Sequence, residues 1–159
     1  MDQTDVEEVV MIIISQAAKK DIQVITDFQV AMAMETEGIN LDPQTVLRGV
    51  STVFEHPAKG FYLVAIEDGR TVGSLMITYE WSDWRARTVW WIQSLYVIPE
   101  YRRLGIFKKM YAWLLEKVNS DDSIGGIRLY VDLTNHHAQK VYESIGMDGN
   151  HYRFYEFMK

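Results

Sequence analysis

Gln93-Ser94-Leu95-Tyr96-Val97-Ile98-Pro99-Glu100-Tyr101-Arg102-Arg103-Leu104-Gly105-Ile106-Phe107-Lys108 is the stretch on which the fold of this chain turns. A β-type run, Trp90 to Val97, stops at Pro99, passes through two arginines and a glycine, and enters an amphipathic helix. A helix start exposes main-chain N–H groups and carries partial positive charge, so such a turn is suited to holding phosphates. Gly105 lets ligand and backbone approach with no Cβ between them. Arg102, Arg103, Lys108 and Lys109 gather cations there, although the whole chain has a net charge of -6. The pattern implies a phosphorylated ligand held at one spot. An acidic chain with no basic stripe argues against a nucleic acid bound over a broad surface.

Working outward, turn and cap signals set the element order. Val9 to Ile14 is continuous apolar and β-branched, which predicts a buried first strand. Lys20 to Met34 has near-helical spacing. Asp42-Pro43 places an N-cap before a helix carrying Val46, Leu47, Val50, Val53 and Phe54, ended by His56-Pro57. Phe61 to Ile66 and Thr71 to Tyr79 are strands joined by a hairpin turn with Asp68-Gly69 at its centre. Trp81 to Arg87 is a polar, aromatic loop before the strand Thr88 to Val97. A helix from about Arg103 to Val118 puts Ile106, Met110, Trp113, Leu114 and Val118 on one face. Gly125-Gly126 reads as a break before a strand Ile127 to Leu133. A fourth helix puts Ala138, Val141, Tyr142 and Ile145 on one face and stops at Gly146. Tyr152 to Met158 is expected as a closing strand.

Composition narrows the function. A chain of 159 residues with 48% apolar content can bury a core as one domain, 1–159, without metals or disulfides. The absence of cysteine removes thiol nucleophiles, Cys-based zinc sites and an acyl-cysteine intermediate. The acidic start lacks a basic n-region, and Val9 to Ile14 is too short to span a bilayer, so a cytoplasmic protein without a membrane segment is expected. Neither phosphate motif of the nucleotide-binding folds, Gly-x-x-x-x-Gly-Lys-Ser/Thr or Gly-x-Gly-x-x-Gly, occurs. The adjacent His136 and His137 fall on different helix faces and make a poor metal pair, so no metal is expected.

Arg102-Arg103-Leu104-Gly105-Ile106-Phe107 resembles motif A of the GNAT superfamily, the acetyl-CoA-dependent N-acyltransferases, whose signature is Gln/Arg-x-x-Gly-x-Gly/Ala. Phe107 departs from it at the final small position. Downstream, Asn135-His136-His137-Ala138-Gln139-Lys140-Val141-Tyr142-Glu143-Ser144-Ile145-Gly146-Met147 is similar to motif B of the same superfamily. The resemblance implies an α/β fold of the α+β kind, with a mixed, splayed central sheet in the order β-α-α-β-β-β-α-β-α-β. It implies acetyl-CoA as acyl donor, held by the strand at Leu95, Tyr96 and Val97, by Arg102, Arg103, Leu104, Gly105, Ile106, Phe107 and Lys108, and by Asn135 and Tyr142.

Each role has a plainer alternative beside it. The resemblance implies a bulge at Leu95 to Val97 whose N–H polarises the thioester carbonyl; by pattern alone these are core residues of a central strand. It assigns Tyr142 as the acid that protonates the departing thiolate, yet Tyr142 also lies on an apolar stripe and reads as a core tyrosine. Asn135 is a pantetheine contact by resemblance and a helix N-cap by position. Gln93 stands where several family members carry a basic glutamate, and it can bind substrate or satisfy a strand neighbour. Glu35, Glu37, Glu80, Asp83, Trp81 and Trp84 suit a cationic amine acceptor, small or peptidic; as readily, the carboxylates are solvated surface charges and the tryptophans pack on the sheet edge or in a dimer contact. The resemblance also raises a homodimer through the terminal strands. The leading expectation is direct acetyl transfer to a primary amine, and the alternative is a catalytically silent acyl-CoA-binding domain.

Overall fold

The structure, a computed structural model, describes residues 11–159. Its elements are β1 (Ile12–Gln16), α1 (Ile22–Glu37), α2 (Pro43–Glu55), β2 (Phe61–Glu67), β3 (Arg70–Ser82), β4 (Arg87–Val97), α3 (Ile106–Ser120), β5 (Ile124–Arg128) and α4 (His136–Ser144). The strands form one sheet in chain order, β1-β2-β3-β4-β5. The first three pairings are antiparallel. The fourth is parallel: the Thr88 N–H, at the start of β4, donates to the Ser123 carbonyl just before β5 at 2.9 Å, so the two strands set off side by side. A parallel pair needs a crossover, and α3 supplies it. The mixed α+β architecture expected from the sequence is the one found. The chain separates into two compact units, one ending at Ile127 and the other spanning Arg128–Lys159.

Local chemistry explains the boundaries. The Asp42 carboxylate caps α2 by accepting from the N–H groups of Gln44 at 3.4 Å and Thr45 at 3.0 Å, with Pro43 in the first position. α1 closes at Gly38, whose φ of 65° suits a left-handed cap. In the β2–β3 hairpin, Asp68 and Gly69 both take positive φ, 45° and 77°, as a two-residue turn matched to strand twist requires.

Strand alternation splits the first unit's core between the two sheet faces. On one face Tyr62 and Val64 pack with Ile25 of α1 and with Val50 and Val53 of α2. Leu63 and Ala65 point the other way, the side on which α3 buries Ile106, Met110 and Leu114 at four-residue intervals. Side chains of this size, fully buried, contribute about 1.5–3 kcal/mol each relative to exposure.

Four expectations shift. Of the expected first strand, Val9 and Val10 lie outside the described residues, and the strand runs on to Gln16. α3 begins at Ile106 instead of Arg103, because Arg103 and Gly105 are left-handed and a right-handed helix starts only after them. Gly125-Gly126 lies inside β5, not before it. A Cβ on Gly125 would stand 3.2 Å from the Arg87 Cβ, so the glycine marks close strand approach and Leu129 to Leu133 is not a strand. Tyr152 to Met158 forms no strand: the sheet has five members and this segment is not among them, leaving Tyr152, Tyr155 and Phe157 exposed. Among the described residues, no helix is long and apolar enough to cross a membrane.

Candidate active site

β4 has eleven residues and β5 five. Because they start level, β5 ends beside the middle of β4, and the Gln93–Val97 half runs on past it. In that half the ladder to β3 is irregular. Ser74 pairs with Tyr96 and Met76 with Gln93, so Leu75 alone opposes both Ser94 and Leu95. This two-against-one count is a β-bulge, which leaves main-chain groups outside the ladder. Ser94 carries the distortion with a φ of 52°, a conformation costing a non-glycine residue roughly 1–2 kcal/mol. The bulge expected at Leu95 to Val97 therefore begins one residue earlier.

Beyond β4 the chain makes a 3-10 turn, Pro99–Tyr101, and Arg102 is extended. Arg103 and Gly105 then take φ values of 65° and 73°. The first hydrogen bond of α3 runs from the Lys109 N–H to the Gly105 carbonyl at 3.1 Å. The helix thus offers no acceptor of its own to the N–H groups of its first turn, which is the arrangement that accepts an anion. Arg103, Leu104, Gly105, Lys108 and Lys109 are exposed around it, Ile106 is buried beneath, and Phe107 is half-buried with its ring 6.1 Å from that of Tyr111. A Cβ at Gly105 would meet nothing within 4 Å, so space above the turn is open. The donor set and the open space fit a diphosphate.

Arg102 behaves differently from the other cations. Its Nε donates back to the Val97 carbonyl at 2.8 Å, and its terminal nitrogen reaches Glu35 at 2.7 Å. The guanidinium lies 5.4 Å from the Tyr96 ring centre, and the Tyr96 hydroxyl donates to the other Glu35 oxygen at 2.9 Å. The Phe28 ring, 5.2 Å away, backs Tyr96 from α1. The Arg102 hydrogen bond holds the Glu35 carboxyl below its ordinary value, with Tyr96 adding to it against burial. Burial, then the Glu35 contact, pushes the Tyr96 hydroxyl up. Arg102 and Glu35 therefore form an ion pair in which the two charges offset each other.

The other acceptor candidates divide. Gln93 donates to Thr78 Oγ1 at 2.6 Å, the strand-neighbour reading. Glu80 accepts from the Trp91 indole at 2.8 Å. Asp83 accepts from the Trp84 N–H at 2.9 Å. Glu37 ends α1 exposed, and Trp81 and Trp84 stand 65% and 92% exposed, more open than packing against a sheet would leave them. In the second unit, the Asn135 side-chain oxygen caps α4 by accepting from the Ala138 N–H at 3.0 Å. Tyr142 is half-buried on α4, and burial pushes its hydroxyl up. Sequence reading missed Ser94, whose only signal was a small polar residue interrupting an apolar run. It also missed the Glu35–Tyr96–Arg102 cluster, in which Glu35 lies 61 residues before Tyr96 in the chain.

The family model described as Acetyltransferase (GNAT) family matches residues 29–147, most of the chain. The chain belongs to the GNAT acetyltransferase family. With membership goes the family's acyl donor, acetyl-CoA. Among solved structures, a possible acetyltransferase from Clostridium difficile 630 is 39% identical, with 94% of this chain and 98% of that one covered and a TM-score of 0.86. A predicted acetyltransferase from Clostridium acetobutylicum, solved with acetyl-CoA, is 18% identical over 92% of this chain and 96% of that one, at a TM-score of 0.71. An aminoglycoside N-acetyltransferase in complex with CoA is 13% identical over 97% and 99%, at a TM-score of 0.75. The last two likenesses concern the fold alone.

Proposed function

We propose that this GNAT protein moves an acetyl group from acetyl-CoA to a primary amine by direct transfer, with donor and acceptor bound together. The observation that carries the reading is one continuous strand–turn–helix. It has a bulge at Ser94–Leu95 and a left-handed turn through Arg103 and Gly105 into α3. Family membership supplies the donor, and the residues divide the work. Main-chain N–H groups between Arg103 and Lys108 hold the diphosphate, with Arg103 and Lys108 adding charge. An N–H freed at the bulge polarises the thioester carbonyl, where a preorganised donor is most effective. Direct transfer is supported by the chain's lack of cysteine, which leaves no thiol to carry the acetyl group.

Tyr142 is proposed as the donor of a proton to the departing thiolate. Its raised pKa keeps the hydroxyl protonated at neutral pH, the state a donor needs, although it also gives the proton up less readily. Asn135 shapes the start of the same helix. An amine acceptor is supported by the exposed Trp81, Trp84 and Glu37, which offer aromatic faces and a carboxylate to a cation. The amine loses its proton to a side chain or a water chain; Gln93 has no basic atom for that task.

The test is thiol release from acetyl-CoA across panels of small amines, polyamines, aminoglycosides, amino acids and peptides. Turnover with amines supports the proposal. Turnover restricted to hydroxyl or anionic acceptors rejects it. Binding of acetyl-CoA without turnover on any acceptor would identify a silent acyl-CoA-binding domain.

A further inference from the structure

The Glu35 side chain uses both oxygens within the protein, one on the Arg102 guanidinium at 2.7 Å and the other on the Tyr96 hydroxyl at 2.9 Å. Arg102 is fixed at two further points, the Val97 carbonyl at 2.8 Å and the Tyr96 ring at 5.4 Å. These contacts tie the last turn of α1 to the end of β4 and to the residue that opens the phosphate turn. The next residue, Arg103, is a non-glycine at a φ of 65°, a conformation that persists only where its surroundings impose it. Arg102 is the neighbour best placed to impose it, because its side chain doubles back across the 3-10 turn to the strand five residues earlier. Glu35 in turn orients the guanidinium.

We infer that Glu35 is a positioning residue for donor binding: acting through Arg102, it holds the turn in the shape that presents its N–H groups to the diphosphate. The inference rests on the acetyl-CoA reading above and gives Glu35 a role on the donor side, not the acceptor side. Arg102 accordingly serves as a strut, and Arg103, Lys108 and Lys109 are the cations left to meet phosphate. The charged hydrogen bond matters here because it fixes an angle, while the net charge of the pair is zero.

The experiment is calorimetry with CoA on the full chain, for the unaltered protein, Glu35→Gln, Glu35→Ala, Arg102→Ala and the Glu35→Ala/Arg102→Ala double variant. Melting curves verify that each is folded. Glu35→Ala is expected to weaken CoA binding on the order of tenfold. Glu35→Gln, which keeps one neutral acceptor oxygen and puts an N–H donor in place of the other, falls between the two. The double variant binds as Arg102→Ala does, because Glu35 has no route to the turn once Arg102 is gone. Unchanged or tighter binding by Glu35→Ala overturns the inference, since Arg102 would then be a phosphate cation that Glu35 withholds. So does a double variant whose loss is the product of the two single losses. No heat from the unaltered protein overturns the donor reading together with this one.

Discussion

Replacing Gly105 by alanine separates the stability of the turn from its use. Gly105 has φ 73° and ψ 19°, where an alanine costs roughly 1–2 kcal/mol. Part of that is offset because alanine restricts the unfolded chain, by about 0.4–1 kcal/mol. No neighbouring atom lies within 4 Å of the new Cβ, so no clash adds to the sum. A net loss of about 1 kcal/mol lowers the melting temperature of a chain this size by about 2–4 °C. Gly69 is the control, with a φ of 77° and equally open surroundings in the β2–β3 hairpin. Gly69→Ala should cost the same stability and leave CoA binding alone. Gly105→Ala should weaken CoA tenfold to a hundredfold, roughly the loss of one charge-assisted N–H contact. Paired scanning-fluorimetry and calorimetric titrations measure both quantities. Equal CoA affinity in the two variants would mean that the turn's geometry is irrelevant to binding and that the diphosphate sits elsewhere.

Gly60→Ala should prevent folding or cost about 4 kcal/mol or more, since its Cβ would lie 2.0 Å from the Ile77 carbonyl oxygen in the adjacent strand; yield and circular dichroism measure it. Burial pushes the Tyr62 hydroxyl up to about 12 from 10.0. A raised pKa means the folded state holds the proton more tightly, so this stabilisation is complete below pH 10 and is lost as pH rises towards 12. Tyr62→Phe should flatten the fall in unfolding free energy from urea titrations over that window by roughly 2–3 kcal/mol; an unchanged slope contradicts it. Tyr142→Phe should lower turnover far more than acetyl-CoA affinity, measured by thiol release and calorimetry, and equal turnover in both proteins would remove the proton-donor assignment.

What was legible in the sequence was whatever local chemistry dictates. The α2 start was readable because aspartate before proline has few other uses, and the hairpin because Asp68-Gly69 supplies two positive φ angles. The strand–turn–helix around Gly105 was readable because a strand, a proline stop and a glycine before an amphipathic run leave little choice. Gly125-Gly126 misled because glycine signals both a break and a close approach, and only the neighbouring Arg87 and Val89 decide between them. Tyr152 to Met158 misled because an aromatic run shows that a strand is possible and says nothing of whether a partner edge is available. The bulge was expected by resemblance, but its placement on Ser94 depends on pairing with β3. The Glu35–Arg102 bond was invisible for a simpler reason: a charge carries no mark of the distant charge it will meet.

Backbone amide shifts on adding CoA to the isotopically labelled protein report whether the turn at Gly105 grips the diphosphate. The N–H resonances between Arg103 and Lys108 should shift strongly, and 3′-phosphoadenosine diphosphate should shift the same set while pantetheine leaves it in place. Shifts that spare this turn while CoA binds elsewhere would contradict a diphosphate held there.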